Sequence, residues 1–152
     1  MATVDATMMK VQRLLTGPLG LKIQLQGELI MVFFQNRSTH VNMRVVDWGK
    51  TQDGEPRSLV HISAPVLREV TPSPELFKWV ATEGTKFWFG HMQLFDDQRN
   101  PGKMIMMMAH TLLGDFLDEA ELASAMFAVL GSADEWDDKL KEKFGGKRGV
   151  DQ

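Results

Sequence analysis

The stretch Lys103-Met-Ile-Met-Met-Met-Ala-His110 decides the fold, because it reads as a β-strand that is apolar on both faces. Strand side chains alternate sides, so Met104, Met106 and Met108 point one way and Ile105, Met107 and Ala109 the other. An antiparallel sheet normally packs one face and solvates the other. A doubly apolar strand therefore predicts a second layer over its outer face, from this chain or from a partner, and points to a protein that works by binding protein.

Upstream, Lys86-Phe-Trp-Phe-Gly-His-Met-Gln-Leu-Phe95 and the polar loop Asp96-Asp-Gln-Arg-Asn-Pro-Gly102 make this strand the second arm of a hairpin. If Leu94 opposes Met104, then Met92 opposes Met106 and Gly90 opposes Met108, since directly opposed residues share a face. Trp88, Met92, Leu94 and the three even-numbered methionines then fill the helix-side core. Phe87, Phe89, His91, Ile105 and Met107 form the opposite face, the expected surface for a partner or a second copy. A slip of one residue in the loop would exchange the two sets of the methionine strand.

Further out, Val4, Met8, Val11 and Leu15 recur at helical spacing over residues 4 to 16 until Gly17-Pro18. The period then changes to two. Strands are expected at Leu21 to Leu25, Leu29 to Phe34, Val41 to Trp48 and Ser58 to Ala64, with turns at Gln26-Gly27-Glu28 and Asn36-Arg37-Ser38 and a loop from Gly49 to Arg57. Ser73-Pro74-Glu75 starts a helix, since Ser73 can accept a free N–H and Pro74 has none to leave unpaired. Asp118-Glu-Ala-Glu121 opens the last helix in the manner of a capping box. Leu122, Met126, Val129, Ala133, Trp136, Leu140 and Phe144 continue one stripe along it, with Gly131-Ser132 as a bend site. The expectation is one α+β domain over residues 1–146, an antiparallel sheet with helices in the order α-β-β-β-β-α-β-β-α, followed by a disordered tail over 147–152.

The 152 residues are 43% hydrophobic and 24% charged, ordinary values for a globular domain. A formal net charge of -3 gives no electrostatic reason to expect nucleic acid as a partner. There is no apolar run long enough to enter a membrane and no signal-peptide pattern at the N-terminus, and the chain contains no cysteine, which together suit a cytoplasmic protein. His40, His61, His91 and His110 lie on or beside separate strands without metal-ligand spacing. Asp134, Asp137 and Asp138 alternate with Lys139, Lys141 and Lys143, the pattern of a solvated face. With no tyrosine, no cysteine and no nucleophile elbow, the expectation is a protein without catalytic residues, cofactor or metal. The eleven methionines suit an adaptable binding surface as well as a core.

The segments Val60-His-Ile-Ser-Ala-Pro-Val-Leu-Arg-Glu-Val70, Glu75-Leu-Phe77, Phe89-Gly-His-Met-Gln-Leu94 and Leu112-Leu-Gly-Asp-Phe-Leu-Asp-Glu-Ala-Glu-Leu122 resemble YbjN-type proteins, a family related in fold to the type III secretion chaperones. The resemblance covers residues 5 to 145, with Phe89-Gly90 and Leu117-Asp118 as its local marks. It implies an α-β-α layered, secretion-chaperone-like fold, usually homodimeric, with no enzymatic residues to carry over. The function expected is a homodimeric adaptor or chaperone-like protein that binds a peptide segment of a client, with regulation as a compatible role. The alternative is a small-molecule-binding regulator or an enzyme with a pocket near Trp88. A deep enclosed cavity would favour the alternative, and an apolar groove the adaptor.

Overall fold

The computed structural model of the chain describes residues 3–35, 37 and 39–151. Its elements are α1 (Thr3–Thr16), β1 (Lys22–Gln26), β2 (Leu29–Phe33), β3 (Val41–Lys50), β4 (Pro56–Val70), α2 (Pro74–Thr82), β5 (His91–Asp96), β6 (Met104–Leu113) and α3 (Glu119–Phe144). This is the α+β order expected from the sequence. The strands form one antiparallel sheet in the order β1-β2-β3-β4-β6-β5. The expected turn at 36–38 includes Asn36 and Ser38, which lie outside the described residues.

Local chemistry explains the helix boundaries. Ser73 Oγ accepts the Leu76 N–H at 3.1 Å and Asp118 Oδ1 accepts the Glu121 N–H at 2.8 Å, each satisfying a donor the helix leaves free. α3 runs without interruption through Gly131-Ser132. β4 is far longer than the expected Ser58 to Ala64, because register shifts beyond Pro65 let its pairing with β6 continue to Val70.

The three helices lie on one face of the sheet. Val11 and Leu15 of α1, Leu76 of α2, and Leu122, Met126 and Leu130 of α3 close over Ile30, Met43, Ile62, Ala64, Met106 and Met108 in one cluster. The three-layer arrangement implied by the resemblance is therefore corrected to two layers. Helix stripes and strand faces of one parity satisfy each other, and among the described residues no element is left to cover the other side of the sheet.

The hairpin pairs Leu94 with Met106 and Met92 with Met108, two residues away from the register expected. A shift of two preserves the faces, so Met92, Leu94, Met106 and Met108 do point to the helices. The strand begins only at His91, however, and the residues before it depart from expectation. Gly90 has φ +84, and a Cβ there would sit 2.3 Å from the Ala109 carbonyl oxygen, so the chain leaves the sheet at this glycine. Trp88, expected in the core, is 100% exposed. Phe87 instead turns over the sheet edge to meet Trp136 of α3 edge to face, with centroids 6.1 Å apart.

The tail is ordered through Asp151 rather than frayed. Arg68 and Lys147 exchange both backbone hydrogen bonds at 2.9 Å, and Asp151 accepts from Lys141 and Arg148. Gln152 lies outside the described residues.

Because Met106 is fully buried and Trp88 fully exposed, Met106→Ala should destabilise the protein by about 2 to 5 kcal/mol. Trp88→Ala should change stability by less than about 0.5 kcal/mol. Denaturant unfolding of the two variants checks both values.

Candidate functional site

The five residues expected on one partner-binding face do not share it. His91, Ile105 and Met107 stand on the uncovered side of the sheet, opposite Ala109, Phe95 and Gln93 respectively. Phe87 and Phe89 lie on the helix side, where Phe89 meets the His110 ring at 5.6 Å. The departure of the chain at Gly90 separates the two groups.

That departure leaves a second feature. Gly114 N–H donates to Ser58 O beyond one end of β6, and Asp97 N–H donates to Lys103 O beyond the other. Antiparallel ladders alternate their bonded positions, so even-numbered residues of β6 bond to β4 and odd-numbered ones turn toward β5. β5 reaches only as far as the pair His91 and Ala109. The backbone N–H and C=O groups of Thr111 and Leu113 therefore face an open edge.

A groove of about 520 Å³ adjoins this edge, lined by Thr111, Leu112 and Leu113 of β6, by Phe89 and Phe116, and by Ala120, Glu121 and Ser124 of α3. It meets at Phe89 a second depression, of about 430 Å³, lined by Phe87, Trp88, Phe127, Ala128, Gly131 and Ser132 among others. Small residues on one side of α3 create the depth, and exposed aromatics form the rims. Phe116 is 69% exposed and lies under the Arg57 guanidinium, 5.2 Å from its centroid.

The loop carrying Phe116 is fixed from below. Lys10 Nζ donates to the carbonyl oxygens of Gly114, Asp115 and Leu117 at 3.1, 3.0 and 3.2 Å. Asp115 Oδ2 accepts the Ser58 N–H at 2.9 Å, and the Ser58 and Thr7 hydroxyls are 2.7 Å apart. Gly114 is required by this packing, since a Cβ would fall 2.4 Å from Ser58 Oγ. Sequence reading named Phe89 but missed Phe116, Ala120 and Ser124. The available signal was the exposed-length interval of small residues Ala120, Ser124, Ala128 and Gly131 beside the core stripe of α3.

The titratable groups do not assemble a reaction centre along this groove, where Glu121 lines the 520 Å³ depression and Lys86 and Glu135 the 430 Å³ one. Asp97, at the hairpin tip, accepts from Asn100 Nδ2 at 2.9 Å and the Arg99 N–H at 3.0 Å, and the Asn100 bond leads in holding its carboxyl below the usual range. Among the described residues no three His, Cys, Asp or Glu side chains converge as metal ligands. Among the described residues no helix is long and apolar enough to cross a membrane.

The profile of a protein family described as "T3SS (YopN, CesT) and YbjN peptide-binding chaperone 1" matches residues 48–152. The chain belongs to this family. Its peptide-binding, chaperone-like character is accordingly the coarse functional assignment, and it agrees with the resemblance read from the sequence. A search of curated proteins found no match. Among solved structures, a chain of the crystal structure of the ExsC-ExsE complex is similar with a TM-score of 0.58 and 18% identity, over 91% of this chain and 96% of that one. At that identity the likeness shows the fold.

Burial pushes the imidazoles of His40, His61 and His110 below their ordinary value. The folded state then binds fewer protons than the unfolded one, so stability is full above the unfolded pKa, near 6.5, and falls as pH drops through the folded values. The denaturation midpoint should decrease between pH 7.5 and pH 5, and His40→Gln/His61→Gln should flatten that decrease. A midpoint insensitive to pH over this range would contradict the assignment.

Proposed function

We propose that the protein is a non-enzymatic, homodimeric chaperone or adaptor that holds an extended segment of a client protein in the groove beside β6, as an added strand. The observation that carries this reading is the free edge at Thr111 and Leu113. Two residues with outward N–H and C=O groups can accept a short extended peptide through main-chain hydrogen bonds, and alternate side chains of that peptide would enter the apolar groove. The family's peptide-binding description supports the same class of ligand.

The groove is apolar, exposed along its rim and poor in ionisable groups, which favours a peptide over a small-molecule substrate. Homodimerisation is supported by large apolar side chains on elements along the β5 edge, with Phe77 of α2 47% and Phe95 of β5 49% exposed. A regulatory role follows if client capture withholds the client from another partner. A cytoplasmic setting suits a chain without cysteine.

The test uses labelled eight-residue peptides that alternate Val, Ile or Phe with Ser or Thr. Members of this panel should bind, and N-methylation of a central backbone nitrogen, which preserves every side chain, should weaken binding at least tenfold. Ser124→Trp, filling the groove from an exposed helix position, should do the same without lowering the melting temperature. Binding that survives both changes would refute the site. Sedimentation at micromolar concentration should give twice the 17.2 kDa chain mass, and a monomer would refute the homodimer.

A further inference from the structure

The side of the sheet away from the helices has a charge pattern that the groove does not use. Its positions are the outward members of each register pair, including Lys22 with Phe33, Leu29 with Arg44, Arg44 with His61, His61 with Thr111, and His91 with Ala109. Among the positions just named the ionisable residues are Lys22, Arg44, His61 and His91, and none is Asp or Glu. His40 borders the same face, with its ring 5.8 Å from Phe33. In a chain of net charge -3, paired outward positions that carry basic groups and no carboxylate are a local reversal of sign.

Near its centre is a concavity of about 260 Å³ lined by Leu29, Asn42, Arg44, His61 and Ser63. Arg44 makes no ion pair among the described residues. His61 is oriented by the contact of its Nδ1 with Thr111 Oγ1 at 3.1 Å. Asn42 completes the floor, with its side chain beside His40. A guanidinium, an imidazole and a hydroxyl thus line one concavity.

We propose that this face docks an acidic segment of a partner protein, with a Glu or Asp carboxylate of the partner received by Arg44, His61 and Ser63. Guanidinium and carboxylate match in charge and in planar geometry. Leu29 and Met31 on one flank and Leu59 on another supply apolar contact around the polar centre. A second copy of this chain is a poor occupant, because two-fold pairing sets the Lys22 and Arg44 charges against themselves with no carboxylate at the paired positions to meet them. This surface adjoins the groove at Thr111, whose side chain bonds His61 while its main chain forms the free edge, so a substitution of Ser124 tests the groove and one of Arg44 tests this face.

The probe is a labelled twelve-residue peptide alternating Glu with Leu or Phe, compared with the same peptide carrying Gln for every Glu, by fluorescence anisotropy at low salt. The Glu peptide should bind at least tenfold more tightly than the Gln peptide, and 0.5 M NaCl should erase most of the difference. Arg44→Gln, at an exposed position without an ion pair, should remove the preference, while Ser124→Trp should leave it intact. Equal binding of the two peptides, no binding at 1 mM, an unchanged preference in Arg44→Gln, or its loss in Ser124→Trp would each overturn the proposal. So would a change in sedimentation on Arg44→Glu, which would assign the face to a second copy.

Discussion

β6 continues past the end of its hairpin partner, and the rest of the functional geometry depends on that mismatch. β5 pairs with β6 only through Ala109, whereas β6 runs to Leu113. The cause is local, since Gly90 takes a conformation closed to most residues and lies against the Ala109 carbonyl too closely for any side chain. The chain that would have covered the edge crosses to α3 instead, where Phe87 meets Trp136. A backbone edge and an aromatic rim arise from the same turn.

The opposite end of the groove is fixed by a charge. The Lys10 ammonium collects three carbonyls from the segment linking β6 to α3, and the Thr7, Ser58 and Asp115 bonds hold the same segment against the sheet. α1 thereby determines where α3 begins and where Phe116 stands, although it does not line the groove. Because all the helices pack on one side, the two faces of the sheet acquire different chemistry: an apolar core with the groove at its margin, and a bare surface whose paired positions carry Lys22 and Arg44.

Much of the architecture was legible in the sequence. Period-two and helical spacing located all nine elements, and the parity of Met92, Leu94, Met106 and Met108 survived a register error because a shift of two residues keeps the faces. Trp88 was misplaced because extending alternation through Phe87, Trp88 and Phe89 presumes a strand, and the glycine that ends the strand carries no periodic signal. The length of β4 was underestimated since bulges break alternation while pairing continues. Of the site, Phe89 was visible as an aromatic before the hairpin. Phe116, Ala120 and Ser124 were not, because small and exposed residues register in sequence as ordinary surface, and only the free edge beside them gives them meaning. The docked tail was hidden for a similar reason: Lys147, Arg148 and Asp151 read as solvated charges until β4 and α3 are placed against them.

The central claim is that Thr111 and Leu113 present unpaired main-chain groups that a client strand completes. Amide hydrogen exchange at these two residues, followed by NMR with and without a bound peptide from the alternating panel, tests it most directly. The account predicts fast exchange in the free protein, in contrast to protected Leu112, and strong protection of Thr111 and Leu113 once peptide is bound. Protection of both amides in the free protein, or continued fast exchange with the peptide bound, would contradict it.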